Sequence, residues 1–273
     1  MKVNSFIRIL AVNALFLVPS AQAALLASDD FNSYGAGLDL SGENGGTGWS
    51  SNWTAESGNV TSQTGVIPGS DVSMRITDNG SSDGIAKRSF ASQNGTVYVG
   101  FQIRTSDLYS NEFFQIYLND GVGDNTKGGS VGIRNELGNP AFARVAGSGT
   151  TTNLTGSDID DTNVHQVVLK LSKTGTGHAT NYDFAEVFLD LATEDTGAAI
   201  TNYGSQLGDS TVSSLNTVAF RTHQFDLNSD IVYIDNLRLA TTYADAIVIP
   251  EASSYVLLGL SIFAFIIFGY RKK

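Results

Sequence analysis

The chain has no cysteine, and it is sparing with proline (4), histidine (3) and tryptophan (2) over 273 residues. Without thiols it can form no disulfide, no Cys-ligated zinc site and no thiolate nucleophile, so packing alone must hold it together unless a metal assists. His165, His178 and His223 are scattered, and no two show the four-residue helical spacing that gathers a metal. No serine sits in a nucleophile-elbow sequence. The Gly-rich stretch GENGGTG (Gly42–Gly48) lacks the lysine of a phosphate loop and precedes no helical pattern, so it reads as a flexible turn. Positive charge is also scarce, with 16 Lys and Arg against 27 Asp and Glu. Long apolar runs occur only at the two ends, and no internal stretch keeps a 3.6-residue period.

Both ends read as targeting segments, which stand outside the fold argument. Lys2 and Arg8 precede a mostly apolar run from Ile9 to Val18, and Ala21-Gln22-Ala23 offers small residues where a signal peptidase reads. The expectation is a secretory signal over residues 1–23, cut between Ala23 and Ala24. At the other end, 16 residues from Tyr255 to Tyr270 carry no charge. As a helix they span roughly 24 Å, a little less than the ~30 Å hydrocarbon core. Tyr255 and Tyr270 stand where aromatic belts sit, and Arg271, Lys272 and Lys273 would hold the terminus in the cytoplasm. One C-terminal transmembrane helix is therefore expected, with the preceding domain outside the inner membrane.

Pro250-Glu251-Ala252, the apolar segment and the basic cluster resemble, in that order, the PEP-CTERM sorting signal of Gram-negative bacteria. The family usually has proline where this chain has Ala252. The resemblance covers residues 250–273 and implies handling by an exosortase-type transpeptidase, with signal peptidase acting at the other end. It also implies an inner-membrane-anchored intermediate, then delivery to the cell surface or extracellular matrix, where such proteins accompany exopolysaccharide and biofilm. An ordinary tail anchor is the alternative.

Setting aside Lys2, Arg8, Glu251, Arg271, Lys272 and Lys273 leaves 11 cations and 26 anions, a net charge of −15. Such a surface repels nucleic acid and anionic lipid, and it suits solubility and divalent cations.

Between the ends the chain reads as all-β. Val97, Val99, Phe101 and Ile103 alternate with polar or small neighbours, as do Phe114, Ile116 and Leu118. His165, Val167, Leu169 and Leu171 repeat the period, and so do Ala185, Val187, Leu189 and Leu191. Ile231, Tyr233, Leu237 and Leu239 are expected to share a face, with Asp235 among them. Shorter candidates lie at 72–77, 85–90, 130–134, 141–145 and 217–222. Strands this numerous, with polar turns and no internal repeat, predict one antiparallel β-sandwich or barrel over 24–240, followed by a connector at 241–249. The opening DDFNSYGAGLDLSGENGGTGWSSNW (Asp29–Trp53) and the closing YIDNLRLATTYADA (Tyr233–Ala246) resemble the boundaries of concanavalin A-like, laminin-G-like jelly rolls. HQVVLKLS and AEVFLDL resemble that fold's paired strands. The resemblance covers about residues 25–246 and implies two packed antiparallel sheets with the chain ends paired. Its members include carbohydrate binders, calcium binders and glycan hydrolases.

Candidate chemistry is thin. A retaining glycosidase needs two carboxylates about 5–5.5 Å apart. Glu186 and Asp190 come nearest, but four residues of strand separate them by about 13 Å, and they read as solvent-facing charges. NDGVGDN places Asn119, Asp120, Asp124 and Asn125 in one Gly-rich turn, which reads either as a polar hairpin turn or as a calcium site of hard oxygen ligands. Asp158, Asp160 and Asp161, and the pair Asp29 and Asp30, are further cation candidates. Trp49 and Trp53 either stack on a sugar ring or pack against the sandwich. Asn-x-Ser/Thr triplets at Asn52, Asn59, Asn79, Asn94 and Asn153 follow from an Asn- and Thr-rich composition. The resulting expectation is a non-enzymatic exported jelly roll that binds polysaccharide or builds matrix. A divergent glycan hydrolase and a calcium-dependent adhesin are the alternatives.

Overall fold

The computed structural model describes residues 25–55, 59–77, 84–106, 112–121, 128–134, 141–145, 152–153, 159, 162–176, 180–196, 202–208, 210–223, 225 and 230–247. The signal segment with Ala21, Ala23 and Ala24, the motif Pro250-Glu251-Ala252 and the basic cluster Arg271, Lys272, Lys273 lie outside the described residues. Among the described residues no helix is long and apolar enough to cross a membrane.

Alternation of apolar and polar side chains sets most of the strands, because a period of two presents one face to a core. In chain order they are β1 (Leu25–Asp29), β2 (Thr54–Ala55), β3 (Val60–Thr64), β4 (Val72–Ile76), β5 (Ile85–Gln93), β6 (Val97–Ser106), β7 (Phe113–Asn119) and β8 (Gly129–Arg134). There follow β9 (Ala141–Val145), β10 (Thr152–Asn153), β11 (His165–Ser172), β12 (Phe184–Leu189), β13 (Tyr203–Leu207), β14 (Leu215–His223) and β15 (Ile231–Ala240). A single helical turn, α1 (Tyr243–Ala246), closes the described chain.

Two antiparallel sheets face each other. The first runs β13–β12–β11–β6–β15–β4–β3, and the second β10–β9–β8–β7–β14–β5–β2. Strand β15 carries β6 along one side; on its other side β4 covers Val232–Ile234 and β1 covers Leu237–Ala240. The first and last strands are thus neighbours, with Leu25 opposite Ala240 and Asp29 opposite Leu237. Side chains from both sheets fill the space between them, among them Phe31, Trp53, Phe90, Phe101, Phe114 and Phe220. Each such side chain contributes about 1.5–3 kcal/mol by leaving water.

Two expectations need correcting. First, β15 does not bury Ile231 and Tyr233. Val232, Ile234, Leu237, Leu239 and Ala240 are its buried apolar residues, because the four residues from Asp235 to Arg238 stand against only three, Gln102 to Gly100, on β6. The extra residue is a bulge at Asn236, which takes a left-handed φ of 51° and shifts the alternation by one. Second, Glu186 is not solvent-facing. It is buried opposite Lys170, with Lys170 Nζ 2.7 Å from Glu186 Oε2 and Tyr203 OH donating to Glu186 Oε1 at 2.8 Å. A second apolar cluster of Tyr98, Val168, Phe188, Ala240, Tyr243 and Ala246 is the reason. Residues 241–247, in the stretch expected as a connector, dock on the first sheet. Tyr243 packs edge-on against Phe188 at 5.1 Å and donates its hydroxyl to Leu191 O at 2.7 Å. Gly100 makes this docking feasible, since a Cβ there would meet Ala246 O at 1.8 Å.

Candidate functional site

The end of β1 is built around Asp29. Alternation turns Ala27 and Asp29 inward, so a carboxylate enters the sandwich beside Arg88 of β5, which shares the inner face with Ala86 and Phe90. Arg88 Nη1 lies 2.8 Å from Asp29 Oδ2, and both side chains are almost wholly buried. Asp29 Oδ2 also accepts from Tyr34 OH at 2.7 Å and Trp53 Nε1 at 3.0 Å, while Oδ1 accepts from the Phe31 amide at 3.0 Å. The guanidinium donates further to Gly45 O through Nη1 and to Ser51 O through Nε. Burial pushes the Asp29 carboxyl up from its ordinary value, against the pull of these hydrogen bonds and of the Arg88 charge. Burial, with the Asp29 hydrogen bond and charge, likewise pushes Tyr34 well above the usual phenol range.

Directly after this anchor the chain turns sharply. Phe31 has a φ of 56°, a conformation disfavoured for a bulky side chain, yet its ring is fully buried against Tyr34 and Trp53. The turn sets Asp30 beside the bulge of β15. There a cavity of about 380 Å³ opens, lined by Ser28, Asp29, Asp30, Gly46, Thr47, Asn236, Leu237 and Arg238. Asn236 is held in place: its amide donates to Asp235 Oδ1 at 2.7 Å, and its Nδ2 donates to Gln102 Oε1 at 2.8 Å. Asp235 is itself buried, and burial first, then the charges of Asp30 and Asp29, raise its carboxyl to about 6 against the Ser70 and Asn236 hydrogen bonds.

A second cavity of about 250 Å³ lies on the other side of Gly46 and Thr47, which line both. Asn44, Trp49, Ser50, Ser51, Asn52 and Arg88 also line it. The loop between the cavities contains GENGGTG, which the sequence presents as a flexible turn. It is laid along β1 and β5 through bridges from Thr47 to Ser28 and from Trp49 to Phe90. Gly46 and Gly48 take φ of 73° and 78°, and a Cβ on either would come within 2.2 Å of a β1 carbonyl oxygen, Ser28 O or Leu26 O. Only glycine lets the loop approach so closely.

The sequence candidates separate cleanly in space. Trp53 is 1% exposed and surrounded by Phe31, Trp49, Phe220 and the Arg88 guanidinium, so no face is left for a sugar. Trp49 is half-buried, donates Nε1 to Ser28 O and carries Arg88 over its ring at 4.9 Å, but it does line the second cavity. Asn119 is buried at the end of β7 and uses Oδ1 for the Gly121 amide, with Asp120 next to it. Asp124, Asn125, Asp158, Asp160, Asp161 and His178 lie outside the described residues. His165 pairs with Asp190 at 2.7 Å, and His223 packs against Phe113. Among the described residues no three His, Asp or Glu side chains gather as a metal site. Sequence reading proposed Asp29 and Asp30 only as cation ligands; it missed Arg88, Thr47, Asn236 and Arg238. The Asp235-Asn236 step inside an apolar strand was the available signal for the bulge.

No known protein family and no curated protein matches this chain. Solved structures of similar shape include a carbohydrate esterase from the Shiga toxin-encoding bacteriophage phi24B, with 13% identity, a TM-score of 0.48, and coverage of 80% of this chain and 98% of that one. The VIP36 exoplasmic/lumenal domain shares 11% identity at a TM-score of 0.47, covering 77% and 93%. The Emp47p carbohydrate recognition domain shares 8% at 0.45, covering 75% and 93%. At such identities and scores the likeness transfers no activity, and the site is argued from its own geometry.

Proposed function

We propose that this is an exported, non-enzymatic β-sandwich that binds carbohydrate at the cavity beside the β15 bulge. The observation that carries this reading is the lining itself. Asp30, Asn236, Arg238, Thr47 and Ser28 bring carboxylate, carboxamide, guanidinium and hydroxyl groups to one open hollow. A ligand dense in hydroxyls can both donate to and accept from such a set, whereas an apolar ligand would strand it. Hydrolysis is disfavoured by the same residues. Asp29 is committed to Arg88, Trp53 and Tyr34, and Asp235 is buried against Asn236, which leaves Asp30 without a carboxylate partner for the two-acid mechanism.

The terminal segments complete the proposal. Signal peptidase would release residues 1–23, the PEP-CTERM-like tail would hold the intermediate in the inner membrane, and an exosortase-type enzyme would act near Pro250-Glu251. The sandwich would then reach the cell surface or matrix and bind exopolysaccharide. Calcium at the Asn119–Asn125 turn would brace that turn. Two measurements test this. Mass spectrometry of the mature C-terminus in the native host should show loss of residues after the motif; an intact Lys273 in the inner membrane makes the tail a plain anchor. Sedimentation with host exopolysaccharide should retain the protein, and Asn236→Gly, which removes the side chain but keeps the left-handed backbone, should weaken retention about tenfold. Equal retention of both forms would remove this cavity from the binding site.

A further inference from the structure

We infer that the ligand is a chain of neutral sugars that crosses Gly46 and Thr47 and fills both cavities, with Arg88 donating to an uncharged oxygen in the second. This rests on the carbohydrate reading above and assigns its ligand class. The first observation is continuity. Gly46 and Thr47 line both hollows, so the two are adjacent. At about 380 and 250 Å³, one lies in the lower part of the ~300–1,000 Å³ range usual for ligand pockets and the other below it. Either hollow alone would bury little of a ligand, whereas a chain lying across Gly46 and Thr47 would use both.

The second observation is Arg88. It is 2% exposed and lines the second cavity. Its Nε is used by Ser51 O and its Nη1 by Asp29 and Gly45 O, while Nη2 makes no hydrogen bond among the described residues. Nη2 is not among the buried atoms left without a partner, so it is open at the cavity wall, where its two N–H donors meet water or an acceptor of the occupant. The acceptor's charge follows from the neighbours. Asp29 already compensates Arg88 at 2.8 Å, and Asp30 lines the adjoining hollow. A uronate or sulfate would add a further anion beside these carboxylates on a surface already strongly acidic. A hydroxyl, ring or acetamido oxygen satisfies Nη2 without that penalty. Asn44, Ser50 and Asn52, all exposed on the same loop, supply the remaining polar partners, and Trp49 the apolar edge.

The test uses full-length protein with Trp fluorescence and calorimetric titration of three ladders, each of one to six residues: cello-oligosaccharides, chito-oligosaccharides and oligogalacturonides. Affinity should rise at least tenfold from monomer to tetramer in a neutral ladder, and galacturonides should bind at least tenfold more weakly. Ser50→Trp, which crowds the second cavity from an exposed position, should remove the gain with length. Asn44→Ala should reduce the gain without bulk, and both variants should melt like the parent. A monosaccharide as tight as the hexamer, an undiminished gain in Ser50→Trp, or a preference for galacturonides would overturn the two-cavity assignment while leaving the carbohydrate reading intact. Absence of binding to all three ladders would overturn both.

Discussion

Arg88 and Asp29 join the two sheets by an ion pair of 2.8 Å inside the sandwich, with Trp49 and Trp53 packed on the guanidinium. The pair lies at the base of both cavities, since Asp29 lines one and Arg88 the other. Removing one partner leaves an uncompensated buried charge, which typically costs about 3–5 kcal/mol. Arg88→Met should therefore lower stability by that order in urea unfolding. Arg88→Met with Asp29→Asn should recover a part of the loss, because no lone carboxylate remains. A single Arg88→Met variant that unfolds at the parent's midpoint would show that the pair is not what ties this end of the sandwich.

The strands were legible in the sequence wherever one face is buried without interruption. β6, β7 and β11 follow their alternation because Val97 to Ile103, Phe114 to Leu118 and Val167 to Leu171 point steadily into one core. β15 was misphased because its alternation breaks at Asn236, whose left-handed backbone is a local choice enforced by Asp235 and Gln102. β2 and β13 carry too few apolar residues to show a period, and they form by pairing with β5 and β12. The site was less legible still. Arg88 stands in a polar-looking run, and only the folding of loop 44–52 onto β1 shows that it is interior. The pairing of the chain ends, by contrast, was expected and is present as β1 against β15.

Asp235 makes stability depend on pH in a definite direction. Its folded carboxyl titrates at about 6, above the ordinary value of 3.8, so the native state holds a proton that the unfolded chain releases first. The contribution is fully present below about pH 4 and is lost as pH rises through about 6. Between these limits the Tm of the parent should fall relative to that of Asp235→Asn, and above them the difference should level off. Parallel Tm curves for the two proteins from pH 4 to pH 7 would place the Asp235 carboxyl at an unshifted value.

Gly100 and Ala246 give a direct handle on the C-terminal turn. A methyl group at position 100 would stand 1.8 Å from Ala246 O, so Gly100→Ala must push α1 away from β6. The expected cost is about 1–3 kcal/mol. The specific sign is faster proteolysis within 241–247 and loss of the Tyr243 hydroxyl bond to Leu191 O, while the glycan binding proposed for the cavities beside β1 is unchanged. Undiminished protease resistance in Gly100→Ala would mean that α1 is not held against the sheet at this contact.

Chelation separates the two binding readings. In the proposed site the ligand is met by side-chain donors and acceptors, and among the described residues no acidic cluster gathers a metal there. Glycan affinity should thus be unchanged when EDTA replaces calcium, even where calcium raises Tm by occupying the Asn119–Asn125 turn, because a cation that binds only the folded state stabilises it by mass action without touching the cavities. Loss of glycan binding in EDTA, with recovery on adding calcium, would instead make the cation a bridge to the sugar. The assignment would then pass to a calcium-dependent adhesin, with the ligand contacts moved from Asn236 and Arg238 to the oxygen ligands of the metal.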